Sequence, residues 1–61
     1  MYIVINQEEN RYRGFRLGER VIIFPPKVSV SIEPDDMKRL LGIQRFRQLT
    51  LGDTIIYHEE G

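Results

Sequence analysis

The chain has 61 residues, no cysteine and a formal net charge of zero at pH 7. This composition excludes disulfides and a thiolate zinc site, and it gives no overall attraction to nucleic acid or to a membrane surface. No stretch reaches the roughly 18 apolar residues of a membrane span and the first residues lack a basic leader, so we expect a cytoplasmic protein without a membrane partner.

Two apolar runs and one alternating segment predict strands in the first half of the chain. Residues 2–5 and 21–24 are continuous apolar runs with β-branched side chains, which predicts strands buried on both faces. Residues 27–32 alternate between apolar residues and serines, which predicts a strand with one exposed face. Its inward residues would be Val28, Val30 and Ile32.

The segment between the two apolar runs, 11–17, is rich in arginine. Its apolar and basic residues alternate only if Gly14 forms a β-bulge, which glycine accommodates at little cost. The bulge would turn Tyr12, Phe15 and Leu17 towards the core. It would turn outward the three basic residues Arg11, Arg13 and Arg16.

Residues 34–41 are the one clear helix in the sequence. Pro34 suits the first helical position, and Gly42 suits a left-handed C-terminal cap. The charges follow the helix dipole, with acids in the first turn and bases towards the end. Those charged residues are Asp35, Asp36, Lys38 and Arg39, and the apolar stripe is Met37, Leu40 and Leu41. A helix of two turns must pack on a sheet to be stable.

The stretch RYRGFRLGERVIIF, 11–24, recurs 34 positions later as RFRQLTLGDTIIYH, 45–58. The identical pairs are Arg11/Arg45, Arg13/Arg47, Leu17/Leu51, Gly18/Gly52 and Ile22/Ile56. Each copy places a Leu-Gly-acid turn between two segments, which predicts two β-hairpins with Gly18 and Gly52 in the turns. The hairpins are either related by an internal two-fold axis or share only a common turn pattern.

These elements predict a mainly β, barrel-like fold with about six short strands and one short helix near 34–41. The fold would be one small domain, 1–61, with an interior filled by side chains. A two-turn helix cannot cover both faces of two apolar strands, so we expect barrel closure together with a homodimer or higher homo-oligomer interface.

The run VSIEPDDMKRLLGI and the following LGDTIIY, within 30–57, resemble the cradle-loop β-barrels, which include the AbrB-like swapped-hairpin DNA-binding proteins and the double-psi barrels. The shared pattern is a strand, a proline, a short helix ending in Leu-Gly-hydrophobe, a Gly-Asp turn and an apolar strand. The matching residues are Val30, Ile32, Pro34, Met37, Leu41, Gly42, Ile43, Gly52, Asp53, Ile55 and Tyr57. Glu33 departs from the pattern, because it separates Ile32 from Pro34 where the swapped-hairpin family usually has isoleucine and proline adjacent. The resemblance implies a dimer and, in the swapped-hairpin branch, DNA binding through basic residues on the barrel surface.

Seven basic residues are the candidate nucleic-acid-binding set: Arg11, Arg13, Arg16, Lys38, Arg39, Arg45 and Arg47. Arginine suits phosphate because its planar guanidinium donates two parallel hydrogen bonds. On the predicted second hairpin, Arg45 and Arg47 share one strand face and Phe46 takes the other. The alternative interpretation is that these cations are solvated and paired with acids.

The remaining polar and aromatic residues give weaker signals. Tyr12, Phe15, Phe46 and Tyr57 could stack on single-stranded bases or, as is more common, form the core. His58 has no evident partner for metal binding or catalysis, and the sequence holds neither a phosphate-binding loop nor a nucleophile–base arrangement. We therefore expect no enzyme activity, no cofactor and no metal.

The leading functional hypothesis is a small dimeric protein that binds nucleic acid, chiefly DNA, in a transcription-regulating role. The alternative is a protein–protein interaction or structural protein, such as an adaptor or inhibitor of viral or mobile-element type. Neutral charge, apolar strand faces and small size support the alternative.

Overall fold

The computed structural model describes all 61 residues, which form five strands and two helices. The elements in chain order are β1 (Tyr2–Asn6), β2 (Arg13–Leu17), β3 (Arg20–Phe24), β4 (Ser29–Ile32), α1 (Pro34–Leu41), α2 (Gln44–Leu51) and β5 (Ile55–Glu59). The predicted mainly β class is confirmed. The predicted number of about six strands is wrong, because the first strand of the predicted second hairpin is the helix α2. Neither helix is long and apolar enough to cross a membrane.

The strands form two small antiparallel sheets rather than a barrel. Sheet A has the order β4-β1-β5, and sheet B is the hairpin β2-β3. Between the sheets lies a single isolated bridge, from Asn6 to Pro26. The predicted barrel closure is wrong because a helix occupies the position of the strand that would have continued the sheet.

The β2–β3 hairpin turns through a two-residue loop, Gly18-Glu19. Gly18 has φ +65°, and glycine at the first loop position with positive φ is typical of a type II′ turn. The register runs without interruption from Arg13 opposite Phe24 to Leu17 opposite Arg20, so the predicted bulge at Gly14 is absent. Strict alternation therefore places Arg13 on the inner face of the sheet.

The second copy of the repeat folds as a helix followed by a strand. Its buried residues Phe46 and Leu49 are three positions apart, which is helical spacing. Glutamine, arginine and leucine also favour helix over strand. The two copies are thus not equivalent hairpins: the second predicted hairpin is wrong, and of the two alternatives for the repeat the internal two-fold axis is excluded.

The Gly-Asp pair ends α2 instead of joining two strands. Gly52 has φ −89°, and the left-handed residue is Asp53 with φ +61°. The Asp53 N–H donates to the Thr50 carbonyl and the Thr54 N–H to the Leu49 carbonyl, which is the Schellman pattern. Helix α1 matches its predicted bounds, but its cap Gly42 has φ −79°, so the predicted left-handed cap is wrong there.

One hydrophobic cluster lies between the sheets and the helices and draws on all seven elements. Its members are Val4, Phe15, Leu17, Phe24, Ile32, Met37, Leu40, Phe46, Leu49 and Ile55. Phe46 packs edge-on against Phe15 with ring centroids 5.2 Å apart, joining α2 to sheet B. The cluster contains Phe15 and Phe46, so these two aromatic residues are core and not stacking platforms.

Four positions that were predicted to be buried are exposed. Tyr12 precedes β2 and is 65% exposed, and Val28 lies in the turn before β4 and is 46% exposed. On β3, the alternate residues Val21 and Ile23 face away from the core, so this apolar strand is not buried on both faces.

Candidate binding surfaces

The first surface is a group of charges around Glu8, which we call the Glu8 cluster (Glu8, Arg11, Arg13 and Arg45). Arg13 lies on the inner face of β2 but reaches its rim, where Nε donates to Glu8 Oε2 at 2.7 Å and a terminal nitrogen donates to Oε1 at 3.0 Å. This is the bidentate arrangement that guanidinium and carboxylate favour. Because Glu8 pairs with the Arg13 guanidinium, Arg13 can lie on the inner face of β2, although the sequence predicted that it faces outward.

Arginines from both copies of the repeat lower the pKa of the Glu8 carboxyl. The hydrogen bonds from Arg13 lower the pKa of the Glu8 carboxyl, partial burial opposes this shift, and the positive charges of Arg13, Arg11 and Arg45 lower the pKa further. The charges of Arg11 from the first copy and Arg45 from the second thus act on one carboxylate. The four members of the Glu8 cluster together carry a net charge of +2.

The Glu8–Arg13 pair predicts an acid-dependent loss of stability that substitution should remove. A lowered folded-state pKa contributes stability above the ordinary value of 4.5, and this contribution is lost as the pH falls through the folded-state pKa. We expect Glu8→Gln to have a lower Tm than the wild type at pH 7 and a smaller loss of Tm between pH 6 and pH 3. Thermal melts followed by circular dichroism measure both.

The matched control is Glu9→Gln. The Glu9 side chain is 82% exposed and reaches Lys27 only at 3.5 Å, so this variant should keep the wild-type dependence of Tm on pH. Parallel pH curves for Glu8→Gln and the wild type would show that the pair makes no contribution.

The second surface is a shallow charged cleft beside α1. A cavity of about 460 Å³ is lined entirely by charged residues: Arg20, Glu33, Asp35, Asp36, Lys38 and Arg39. The Arg20 guanidinium donates to both Asp36 oxygens, at 2.6 and 3.1 Å, and these hydrogen bonds lower the pKa of the Asp36 carboxyl. Three cations and three anions cancel, so the cleft has no net attraction for phosphate.

The seven predicted basic residues therefore do not form one continuous surface. Lys38 and Arg39 lie in the charged cleft, and Arg16 lies on the outer face of sheet B. Arg47 donates to the Leu41 carbonyl at 2.8 Å, which ties α2 to the end of α1. Arg45 and Arg47 project from a helix and do not share a strand face. Only Arg11, Arg13 and Arg45 act on a common group, the Glu8 carboxylate.

The third surface is the outer face of sheet A, where no helix packs. Register places Ile3 beside Ser31 and His58, and Ile5 beside Ser29 and Ile56. We call Ile3, Ile5 and Ile56 the isoleucine face. Neither Ile3 nor Ile5 belongs to the core or packs against it, although both lie on the central strand. The sequence predicted the apolar excess of β1, but only the register shows where it is uncovered.

The outer face of sheet B is also apolar. Val21 and Ile23 are 53% and 48% exposed, and Arg16 is directly opposite Val21. A Cβ added to Gly14 would lie 3.0 Å from Ile23 Cδ1, so the isoleucine side chain covers the glycine. Gly14 is thus explained by close cross-strand packing and not by a bulge.

No cluster of three or more histidine, aspartate or glutamate residues is arranged to hold a metal ion. The fold is a small, mainly β domain with two antiparallel sheets, two helices and exposed apolar residues on the outer faces of the sheets. No protein family, no curated protein and no solved structure matches the chain.

Proposed function

We propose that this chain is a small protein-interaction module, an adaptor or structural component that binds through the isoleucine face of sheet A. The observation that carries the proposal is the position of Ile3 and Ile5, which lie on the central strand yet pack against nothing in the core. Apolar side chains on a central strand normally face a second layer of structure. A partner protein can supply that layer.

The energetics of the isoleucine face favour association. Complete burial of an exposed isoleucine side chain stabilises a complex by about 1.5 to 3 kcal/mol. Ile56 is exposed, whereas Ile3 and Ile5 are already half-buried and would contribute only part of this amount. The polar residues directly beside Ile3 and Ile5 on the neighbouring strands are Ser29, Ser31 and His58, none of which is a carboxylate or a guanidinium that would resist desolvation. An apolar centre with an uncharged polar rim is typical of interfaces between proteins.

A second copy of the chain is the first partner that this surface fits. A two-fold axis would place the same isoleucine face on both sides, as closed homodimers do. Dimerisation would also supplement the small core of a 61-residue chain.

Site-specific photocrosslinking tests the proposal. A photoreactive amino acid at Ser31, on the isoleucine-face side of β4, should give covalent adducts with a second copy in purified protein or with other proteins in the native cell. The matched control places the same group at Gln48, an exposed position on α2. Equal adduct yields from the two positions, in both preparations, would refute the proposal.

Nucleic-acid binding is the second candidate function, and the Glu8 cluster supports it. Its members Arg11 and Arg13 are the chain neighbours of Tyr12, which is 65% exposed and so leaves its ring accessible for stacking. Guanidinium groups beside an exposed aromatic ring are the usual elements of a single-strand binding groove. A regulatory role on duplex DNA would use the same cations on the phosphate backbone.

The nucleic-acid candidate predicts binding that depends on salt and on Arg11 and Arg45. We expect the variant with Arg11→Ala and Arg45→Ala to lose about tenfold or more in affinity for every sequence alike, because phosphate contacts carry no sequence information. Fluorescence anisotropy at low salt, with single-stranded and duplex oligonucleotides, measures this loss. Replacement of Lys38 and Arg39 by alanine is the control, since those cations are balanced by neighbouring acids. Absence of binding by the wild type would refute the candidate.

A further inference from the structure

The last strand, β5, has an outer edge with no partner. It pairs with β1 on one side only, as the edge strand of sheet A. Four of its five residues are exposed, and only Ile55 is buried. An unpaired strand edge presents a row of main-chain donors and acceptors on which another strand can form.

Two hydrogen bonds show which residues of β5 point their main-chain groups outward. The Glu60 N–H donates to the Met1 carbonyl and the Gln7 N–H to the Thr54 carbonyl, both at 2.8 Å. Hydrogen-bonded pairs alternate along an antiparallel ladder, so Ile56 and His58 face β1. The outward N–H and C=O groups belong to the residues between and beside them, which are Ile55, Tyr57 and Glu59.

The edge of β5 carries acids but none of the prolines and cations found at the other edges. Residues 53–61 contain no proline, lysine or arginine, which are among the residues that block an exposed edge. By contrast, β4 lies between Pro26 and Pro34, and β2 carries Arg13 and Arg16. The edge of β5 is therefore the place where sheet A is open to extension.

Charge indicates which strand fits this edge. Asp53 lies before β5, and Glu59 and Glu60 lie at its end, so acids flank the apolar centre. Antiparallel self-pairing about Tyr57 would set Glu59 diagonal to Asp53 of a second copy, where like charges repel. An incoming strand with basic residues at both ends avoids this repulsion and gains attraction at both ends.

We propose that β5 binds an extended segment of a partner protein that has basic ends and an apolar centre, and that adds to sheet A as an antiparallel strand. The inference rests on the proposed role as a protein-interaction module and names the partner's recognition segment. Main-chain hydrogen bonds would supply affinity, and the acids would select the basic ends. The added strand would lie beside Ile56 and extend the isoleucine face.

Three synthetic peptides of nine residues test the inference by fluorescence anisotropy. One has two lysines at each end of an alternating valine–threonine centre, the second replaces the lysines with glutamates, and the third keeps the lysines but has N-methylated central amides. We expect the first to bind at least about tenfold more tightly than the other two. Equal binding of the N-methylated peptide would mean that charge alone attracts it and would overturn the inference.

Two variants at Glu59 separate charge from main-chain pairing. Glu59→Gln removes the carboxylate, whereas Glu59→Pro removes both the carboxylate and an outward N–H at an exposed strand end. The proline variant should lose clearly more affinity for the lysine-ended peptide than the glutamine variant, with an unchanged far-ultraviolet circular dichroism spectrum. Equal losses would overturn the inference. So would sedimentation data in which Glu59→Pro abolishes self-association, because the edge would then serve a second copy.

Crosslinking from Ser31 reports on the isoleucine face and not on the β5 edge. Ser31 adducts in higher yield than Gln48 adducts, together with no binding of the lysine-ended peptide, would refute the edge inference alone. Ser31 adducts in no higher yield than Gln48 adducts would refute the proposed function itself.

Discussion

Replacement of Phe46 by alanine should remove much or all of the stability of the fold. The side chain is fully buried and its ring lies 5.2 Å from Phe15 and 6.2 Å from Phe24, centroid to centroid. Phenylalanine-to-alanine substitutions in cores cost about 3 to 5 kcal/mol. A chain of 61 residues has a total stability of roughly 3 to 9 kcal/mol, so this loss removes much or all of it.

Urea unfolding followed by circular dichroism measures the loss, with Leu51→Ala as the matched control. Leu51 lies on the same helix and is 84% exposed, so its truncation should change the free energy of unfolding by less than about 0.5 kcal/mol. The pair also tests the conformation of 44–51, because a strand would not bury Phe46 and Leu49 together. Similar effects from the two substitutions would contradict the described packing of α2.

Asn6→Asp should be nearly as damaging, although it changes only an amide to a carboxylate. Asn6 is the one fully buried polar residue. Its Nδ2 donates to the Arg11 carbonyl at 2.7 Å and to the Phe24 carbonyl at 2.9 Å, and its Oδ1 accepts from the Glu8 N–H at 3.0 Å. Aspartate would lose both donations and set a buried carboxylate against two carbonyl oxygens. Each buried group left without a partner costs about 1 to 3 kcal/mol, so we expect a total near 3 kcal/mol or more.

The neighbouring Gln7→Glu is the control, because it makes the same chemical change at an exposed position. Gln7 Nε2 donates to the Asp53 carbonyl at 2.9 Å, and water can replace that bond. Its substitution should cost less than about 1 kcal/mol in the same urea titration. Equal costs at the two positions would show that Asn6 does not join sheet A to sheet B.

Local patterns predicted most of the fold, and the repeat caused the main error. The five strands and α1 follow from apolar runs, alternation and proline, all of which act over a few residues. For 44–51, the similarity to 11–17 led to the prediction of a strand, although the composition of the segment favours a helix. Helical spacing from Ile43 through Phe46 to Leu49 was visible in the sequence and would have given the correct result. The alternating interpretation would have put Arg45 and Arg47 on the same face as Leu49.

The surfaces depended on contacts that sequence patterns do not encode. Arg13 was expected to face outward, but a regular register turned it inward, and the acid that receives it, Glu8, lies on a different segment. Asn6 lies just beyond the predicted strand 2–5, whereas in the structure it is the last residue of the central strand. Arg20 was not singled out, because its partner Asp36 lies across a sheet-to-helix contact that has no sequence signature. The sequence predicted that part of the apolar surface of β1 would be uncovered, but it did not show that the uncovered side is the one with Ile3 and Ile5.

The central position of β1 sets the order in which the fold can be completed. The β2–β3 hairpin closes over a two-residue loop and can form early, on the microsecond scale typical of hairpins. The first strand can pair with β4 in the middle of the chain, but sheet A is complete only when β5 joins the other side, since Tyr2 pairs with Glu59. This pairing joins residues far apart in the sequence, so we expect it to be the slow step of folding.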